Sequence, residues 1–397
     1  TEYHHGEASL QGAIINMAQD FVGSNNIPLL YPNGQFGTRL QGGKDNASSR
    51  YIFTYCKNYV KNLFIQDDNY ILDYNVEDGM SIEPKYYIPI IPMILVNGNE
   101  GIGTGWSSYI PKHNPKDIIN LLKLKIEGKN YKEIKPWYRG FKGRIVKINS
   151  NEYMSIGVYK VVGTNKIQVT ELPIKKWTDD FKTYLDKQIL SKSEVIKSYV
   201  DNSTDKNVLF TIDLYNNKVD YLKTKKHLDG KVDGIEYVLK LYDSKNTKYT
   251  NMHLFNHEDK IIKYSNIYQI IDEFYSIRIK CYKKRKEYLI KKLKDDLILL
   301  EMRVKYILSI INKKLDIRNI SIDDLEKYLE DNQFVKLSIG KSKIDYSYLI
   351  DMSIRSLTKE KVEQLTNQLN NKNEELNILE NKTLENMYKE ELDKIEL

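Results

Sequence analysis

Residues 266–311 read NIYQIIDEFYSIRIKCYKKRKEYLIKKLKDDLILLEMRVKYILSII, a run that contains neither proline nor glycine. Apolar side chains recur within it every three or four positions, close to a heptad spacing, at Leu289, Leu293, Leu297, Leu300, Val304, Ile307 and Ile311. Lysine, arginine, aspartate and glutamate occur among the positions between them. Such a spacing gives a helix one apolar stripe, so the stretch predicts one arm of a coiled coil.

A second arm with the same pattern follows further along the chain. Its apolar positions are Val362, Leu365, Leu369, Leu376 and Leu379. Because residues 315–348 separate the two arms, we predict an antiparallel coiled coil that carries a small globular tip. The basic residues 283–286 of the first arm either touch DNA or form a solvated face, and the acids that follow closely favour the solvated face.

The chain upstream of the first arm mixes strands and helices. Residues 144–172 alternate apolar and polar side chains, which predicts half-buried antiparallel strands, and a further strand is expected at 207–214. Residues 9–21 have the apolar spacing of an amphipathic helix. Residues 97–107 are rich in glycine and asparagine, so we expect turns there rather than regular structure.

Composition limits the class of protein. With 397 residues the chain is long enough for two or three domains, and 41% hydrophobic residues fit a globular protein. No stretch approaches the ~20 apolar residues that cross a membrane, so we expect no membrane partner. The two cysteines, Cys56 and Cys281, lie far apart, which predicts neither a disulfide framework nor a zinc site. The opening at Thr1, without Met or an apolar leader, suggests a fragment that is not secreted.

Charge is more informative locally than globally. The net charge of +7 is modest for this length. Residues 32–61, however, contain five basic residues and a single acid, Asp45, among several glycines and aromatic residues. The basic residues are Arg39, Lys44, Arg50, Lys57 and Lys61. This composition is typical of a surface that binds phosphates.

Four motifs in the first 110 residues occur in an order that resembles one enzyme family. They are Tyr3-His4-His5-Gly6-Glu7, Phe21-Val22-Gly23-Ser24-Asn25-Asn26, Phe36-Gly37-Thr38-Arg39 followed by Gly42-Gly43-Lys44-Asp45, and Arg50-Tyr51-Ile52-Phe53-Thr54. Weaker similarity continues through residues 101–107, 136–140 and 356–362. The set resembles the breakage-reunion region of eukaryotic-type type IIA DNA topoisomerases, and the resemblance covers essentially the whole chain.

The resemblance implies roles for individual residues. Tyr51 would be the nucleophile that attacks a DNA phosphate and forms a 5′-phosphotyrosine link, a reaction that preserves the phosphoryl bond for religation. Arg50 would stabilise the transferring phosphoryl group, and His5 would hydrogen-bond to the same phosphate. Lys44 and Arg39 would hold flanking phosphates, contacts that position DNA without reading its sequence.

Ile102 matches the family position at which an apolar side chain wedges between base pairs and bends DNA. Gly101 and Gly103 on either side would let the backbone reach the minor groove. Unstacking one base step costs roughly a few kcal/mol, which additional contacts offset.

The implied architecture is multidomain α+β. Residues 1–88 would form the C-terminal part of a winged-helix DNA-cleavage domain and residues 89–265 a mixed α/β tower domain. Residues 266–397 would form the long antiparallel coiled coil with a small helical dimerisation gate. The protein would act as a homodimer on double-stranded DNA, with each Tyr51 cutting one strand before a second duplex passes through.

Mg²⁺ and ATP, which the family uses, would be bound by domains absent from this chain. These metal-binding and ATPase regions would be joined in cis or carried by a separate subunit. The family default for location is the nucleus, with a viral or cytoplasmic setting left open. Two alternatives also stay open: a non-catalytic DNA-binding or structural coiled-coil protein on this scaffold, and a natural subunit of a split topoisomerase.

Simpler explanations exist for single residues. Tyr51 is one of 31 tyrosines, so its assignment depends on the ordered motifs rather than on residue type. His4 and His5 are adjacent and lack a nearby third ligand, so we predict no metal there. The glycines of 101–105 lack the spacing of a nucleotide-binding loop, so nucleotide binding is rejected at this segment.

Overall fold

The computed structural model describes residues 3–243, 245, 247–338 and 344–396. The chain divides into two compact units. The first comprises Thr1–Gln66, Leu72–Arg278 and Tyr388–Leu397, and the second comprises Asp67–Ile71 and Ile279–Met387. The predicted boundary at residue 88 lies inside the first unit, so the three-domain division stays a prediction. Within the described residues, every helix is too short or too polar to cross a membrane.

The helices account for both predicted arms. In chain order they are α1 Glu7–Ala18, α2 Val60–Leu63, α3 Met93–Asn97, α4 Pro115–Ile126, α5 Thr178–Leu190, α6 Lys218–Thr224, α7 Gly234–Val238, α8 Ile267–Ile311, α9 Ile322–Asp331, α10 Ser347–Ile350, α11 Lys359–Asn381 and α12 Leu384–Asp393. Helix α8 has 45 residues and contains the whole first apolar stripe, as predicted. The second arm is helical too, and α11 ends at Asn381 before α12 begins.

The strands form small antiparallel sheets in the first unit. In chain order they are β1 Tyr74–Glu77, β2 Met80–Pro84, β3 Asn99–Gly103, β4 Trp106–Ile110, β5 Arg144–Asn149, β6 Glu152–Ile156, β7 Val158–Gly163, β8 Lys166–Glu171, β9 Ile196–Asp201, β10 Phe210–Leu214, β11 Lys226–His227, β12 Val232–Asp233, β13 Thr247–Lys248, β14 Met252–Phe255 and β15 Ile261–Tyr264. The strands predicted at 144–172 and near 207–214 are confirmed, as is the mixed α+β class.

The largest sheet has the order β7-β8-β10-β9. Every second side chain of β8 and β10 is buried, among them Ile167, Val169, Phe210 and Ile212, so one face of the sheet is apolar. These side chains pack with Phe181 and others from α5, α6 and α7 into a single core. A second sheet, β13-β6-β5, lies in the same unit.

The second unit contains a helix pair. Leu300 and Ile307 of α8 pack with Leu365 of α11 in one apolar cluster. The Nζ atom of Lys372 lies 2.7 Å from an Asp296 carboxylate oxygen, and that of Lys294 lies 2.8 Å from Glu380. Residue numbers on α11 therefore decrease as those of their α8 partners increase, so the two helices are antiparallel, as predicted from the segment that separates the two arms.

The basic segment 283–286 of α8 differs from its prediction. Arg285 is buried, and its Nη1 lies 3.1 Å from the Asp68 carboxylate, which is also buried. Lys286 donates to the backbone carbonyls of Glu380 and Lys382 at 2.9 and 2.6 Å. The predicted solvated face is therefore wrong for these two residues, because Arg285 and Lys286 are structural donors within the second unit.

The segment between the two arms is globular, as predicted. Helix α9 and the residues around it enclose an apolar cluster that includes Leu325, Leu329, Phe334 and Leu349. Ser321 caps α9 by accepting a hydrogen bond from the backbone N–H of Asp324.

Candidate active site

Tyr51 lies at the end of a short 3-10 turn, Ser49–Tyr51. Its side chain is 71% exposed, and its backbone N–H donates to the Ser48 carbonyl at 2.9 Å. The next residue, Ile52, is buried in a cluster with Ile15, Ala18 and Phe36. The chain leaves the turn in an extended conformation at Ile52, and burial of Ile52 anchors the turn that presents Tyr51 to solvent.

Glycine is required at position 34, where the chain passes close to Ile52. Gly34 has φ +111°, and a Cβ atom there would lie 2.8 Å from Cγ2 of Ile52. The adjacent Asn33 forms a two-way backbone bridge with Phe53. The chain that follows Tyr51 is thus held on both sides, which fixes the direction of the phenol.

Arg50 and Lys44 put positive charge on the same exposed segment of chain. The Arg50 Cζ lies 5.7 Å from the centre of the Tyr51 ring. Both cationic residues are exposed. Lys44 lies in a tight loop closed by Asp45, which accepts hydrogen bonds from the backbone N–H and the hydroxyl of Thr38, at 2.9 and 2.5 Å. The loop is therefore rigid at its base while the Lys44 side chain is free to meet a ligand.

The two histidines near the start of the chain have different surroundings. The His4 Nε2 lies 3.0 Å from a carboxylate oxygen of Glu77, in β1. His5 is exposed, and its ring meets Tyr3 edge-on with centroids 5.5 Å apart. His5 is thus the one of the two whose ring nitrogens have no described protein partner.

Arg39 does not fit its predicted role in holding a phosphate. Its side chain is buried, and its Nη2 donates to Oε1 of Glu171 at 2.5 Å. Glu171 is also buried, and its carboxylate accepts the backbone N–H groups of Leu172 and Lys142. A guanidinium that is enclosed and paired in this way is not available to DNA, so we correct this assignment to a structural one.

Ile102 lies on a β-hairpin, so the expectation of irregular structure at 97–107 is wrong. Strands β3 and β4 pair in register from Asn99↔Ile110 to Gly103↔Trp106, with Ile102 opposite Ser107. The Ile102 side chain is 93% exposed. The Tyr109 N–H donates to the Asn251 carbonyl at 2.9 Å, which ties the hairpin to the chain leading into β14. A supported hairpin thus presents an isolated apolar side chain to solvent.

The family model that describes the A subunit of DNA gyrase/topoisomerase IV matches residues 1–393. The chain belongs to this family. The predicted resemblance is confirmed.

Among curated relatives of this topoisomerase family member, DNA topoisomerase 2 of Plasmodium falciparum is 41% identical over 424 residues, covering 99% of this chain and 30% of the relative. DNA topoisomerase 2 of Acanthamoeba polyphaga mimivirus is 38% identical over 456 residues, covering 99% and 35%. The chain therefore spans about a third of the length of these relatives.

A solved structure is similar along the whole length of this chain. The crystal structure of the Plasmodium falciparum topoisomerase II DNA-binding, cleavage and re-ligation domain matches with a TM-score of 0.88 and 41% identity. The match covers 100% of this chain and 55% of that one. The fold is thus that of a topoisomerase II cleavage region.

Asn26, in the second motif, supports this fold rather than any chemistry. The side chain is buried, and its Nδ2, which shares two N–H groups among three acceptors, lies 2.9 to 3.0 Å from the carbonyls of Val96, His113 and Trp137. Its Oδ1 accepts the Arg139 N–H at 3.0 Å. One amide therefore joins three segments distant in sequence. The motif made Asn26 noticeable, but partners 70 to 113 positions away could not be read from it.

His113 was not singled out from sequence either. It is fully buried, with Nδ1 3.0 Å from the Leu95 carbonyl and Nε2 2.8 Å from the Tyr249 hydroxyl. Because a carbonyl only accepts, Nδ1 carries the proton and Nε2 accepts from Tyr249. Burial lowers the pKa of His113 to about 4, so the ring is neutral at physiological pH.

Proposed function

We propose that this chain is the breakage-reunion part of a DNA topoisomerase 2 that cuts both strands of double-stranded DNA transiently. The observation that carries the proposal is the exposed Tyr51 beside Arg50, on a turn anchored by Ile52, in a chain that matches the family along its length. A non-catalytic scaffold has no physical need to keep an exposed phenol, a guanidinium and the exposed His5 together.

The proposed reaction is a reversible phosphoryl transfer. The Tyr51 oxygen forms a bond to a backbone phosphorus, the bond from phosphorus to the 3′ oxygen breaks, and the phenol proton reaches that oxygen through solvent. The product is a 5′-phosphotyrosine and a free 3′-hydroxyl. One phosphodiester replaces another, so resealing itself needs no ATP.

Arg50 stabilises charge on the transferring phosphate, because a guanidinium offers several donors to its oxygens. His5 donates a hydrogen bond to the same phosphate, for which its exposed ring is available. Lys44 holds a flanking phosphate, and Ile102 wedges between base pairs to bend the duplex. Two copies are required, with one Tyr51 for each strand.

We also propose the finer division of the chain. Residues up to 88 form part of a winged-helix domain, residues 89–265 a tower domain, and residues 266–397 a coiled coil with a dimerisation gate. Strand passage would be driven by ATP bound elsewhere in the complete enzyme. We propose the nucleus as the site of action, although the relatives include a mitochondrial and a viral enzyme.

Magnesium is the family's metal, and the residues that the structure describes do not fit it. Among them, no three His, Cys, Asp or Glu side chains converge as a metal site would require. We therefore propose that Mg²⁺ is bound by another region of the enzyme. If the isolated chain with Mg²⁺ formed covalent DNA adducts at the rate of the full enzyme, this division of labour would be wrong.

The nucleophile is tested in the full-length enzyme. Wild type, Tyr51→Phe and Tyr55→Phe are incubated with supercoiled DNA and then denatured, and covalent adducts are measured. Tyr55 is a matched control because it is exposed on the same segment, at 57%. We expect adducts with wild type and Tyr55→Phe but none with Tyr51→Phe. Adducts that persist in Tyr51→Phe contradict the assignment, and none in wild type favours the non-catalytic alternative.

A further inference from the structure

A cavity of about 660 Å³ lies in the first unit, at the base of the hairpin that presents Ile102. One wall is the turn that contains Lys175 and Lys176, and another contains Lys240. The hairpin itself contributes Glu100 from β3 and Tyr109 from β4. Five lysines line this space against two acids, and one of the lysines, Lys248, is paired with Glu152 at 3.2 Å, so the cavity carries a net positive charge.

Two of the lysines form no ion pair with any of the described residues. The Nζ atoms of Lys176 and Lys240 lie 5.1 and 4.9 Å from the centre of the same Tyr184 ring. Among the described residues, no carboxylate lies within ion-pair distance of either ammonium. Burial, and then the charge of Lys240, lower the pKa of Lys176. Asp180 acts on Lys176 only from beyond ion-pair distance. Two neighbouring ammonium groups without a paired carboxylate favour the binding of an anion.

The third lysine connects the cavity to the hairpin. Lys175 has φ +65°, and its ammonium forms an ion pair with Glu100 while lying 4.9 Å from the centre of the Tyr109 ring. Glu100 and Tyr109 are cross-strand partners. Both charged side chains of the pair are exposed, at 47% and 65%, so the pair contributes little stability and exchanges readily.

We propose that this cavity, the Lys175–Lys240 pocket, binds a phosphate group, and that the phosphate draws Lys175 away from Glu100 and frees the base of the hairpin. A phosphate carries negative charge on several oxygens and so meets three ammonium groups better than a single carboxylate does. The phosphate comes either from a DNA backbone that extends past the hairpin or from a free phosphorylated ligand. The effect on Ile102 rests on the function proposed above, whereas phosphate binding does not.

The pocket is tested with inorganic pyrophosphate, titrated by calorimetry into the 397-residue chain. We expect Lys176→Ala/Lys240→Ala to weaken binding at least tenfold. The matched control is Lys187→Ala/Lys223→Ala, which removes the same charge from exposed positions outside the pocket and should change binding less than twofold. Glu100→Gln frees Lys175 and should tighten binding two- to threefold. Equal effects of the two double variants, or weaker binding by Glu100→Gln, would overturn the proposal.

The source of the phosphate is resolved with two duplexes, about one and about four helical turns long. If the DNA backbone enters the pocket, Lys176→Ala/Lys240→Ala weakens binding of the long duplex at least fivefold and leaves binding of the short duplex unchanged. If a free ligand is the source, the same variant loses pyrophosphate binding while both duplexes bind normally. Either result supports the pocket. The proposal is overturned if Lys176→Ala/Lys240→Ala binds both pyrophosphate and the long duplex as well as the control variant does.

Release of the hairpin has its own readout in Trp106, which is half exposed on β4. We expect pyrophosphate to change tryptophan fluorescence in wild type but not in Trp106→Phe. Saturating binding without that change would overturn the coupling to the hairpin. These measurements need no DNA cleavage. A negative result in the Tyr51 adduct assay can therefore be distinguished from a failure of the pocket to bind phosphate.

Discussion

The guanidinium of Arg39 donates a 2.5 Å hydrogen bond to the carboxylate of Glu171, and both side chains are buried. Removing one member of such a pair leaves an uncompensated buried charge, which costs about 3–5 kcal/mol. We therefore predict that Arg39→Ala lowers the free energy of unfolding by this order, as measured by urea denaturation. Arg39→Met/Glu171→Gln should recover part of the loss, because no buried charge is left unpaired and the glutamine oxygen still accepts one of the backbone N–H groups that Glu171 holds. A stable Arg39→Ala chain that binds DNA poorly would instead support a phosphate contact.

Lys44 is the contrasting cation, since it is exposed on a loop fixed by Asp45 and Thr38. We predict that Lys44→Ala weakens DNA binding equally for different sequences and reduces the slope of log affinity against log salt by about 1. The unfolding free energy should not change. The control is Lys187→Ala, which removes an exposed charge elsewhere, and an equal change of slope in that variant would refute a specific phosphate contact.

Ile102 contributes little to folding because 93% of its side chain is exposed. We predict that Ile102→Ala stays within about 0.5 kcal/mol of wild-type stability. It should nevertheless bend DNA less, as measured by energy transfer between dyes at the duplex ends. Leu190→Ala, at a position 81% exposed, is the matched control and should bend DNA normally. Unchanged bending by Ile102→Ala would exclude the wedge.

Asn26 is predicted to be more important for stability than any other residue of its motif. Asn26→Asp replaces an amide nitrogen that lies against three carbonyls, two of them in buried contacts, with a carboxylate that repels them. We expect a loss of more than about 3 kcal/mol, because each unsatisfied buried group costs about 1–3 kcal/mol. The exposed Asn16→Asp is the control. Similar denaturation midpoints for the two variants would show that the amide is dispensable.

The coiled coil could be predicted from sequence because its signal is local. The apolar positions from Leu289 to Ile311 repeat within one helix, and their period alone determines which face is buried. The second arm has the same period, and the segment between the two arms allows the chain to turn back. Together these features predicted an antiparallel pair. The exposure of Tyr51 fits the role that the order of the motifs implies.

The predictions that were wrong concern residues whose partners lie far away in the sequence. Arg39 resembles other basic residues of its segment, and only Glu171, 132 positions away, explains its burial. Likewise, the glycines around Ile102 suggested turns, whereas pairing with β4 and the support of Asn251 produce a hairpin. The burial of Arg285 was missed for the same reason, since its partner Asp68 lies 217 positions earlier.

His113 gives the chain a pH dependence of known sign. In the unfolded state its pKa is about 6.5, and in the folded state burial lowers the pKa to about 4. Between these values the unfolded chain binds a proton that the folded chain does not, so stability falls as pH is lowered from about 6.5 to 4. Above this window the contribution of His113 is constant. The full effect is on the order of 3 kcal/mol, since one pKa unit corresponds to about 1.4 kcal/mol.

The measurement is the free energy of unfolding across this pH range for wild type, His113→Asn and His227→Gln. His113→Asn should be less stable at neutral pH, because the Leu95 carbonyl and the Tyr249 hydroxyl lose their partner. Its stability should nevertheless depend less on pH than that of wild type. His227→Gln removes a histidine outside this core and should keep the wild-type slope. If His113→Asn and wild type lose stability in parallel on acidification, another group is responsible.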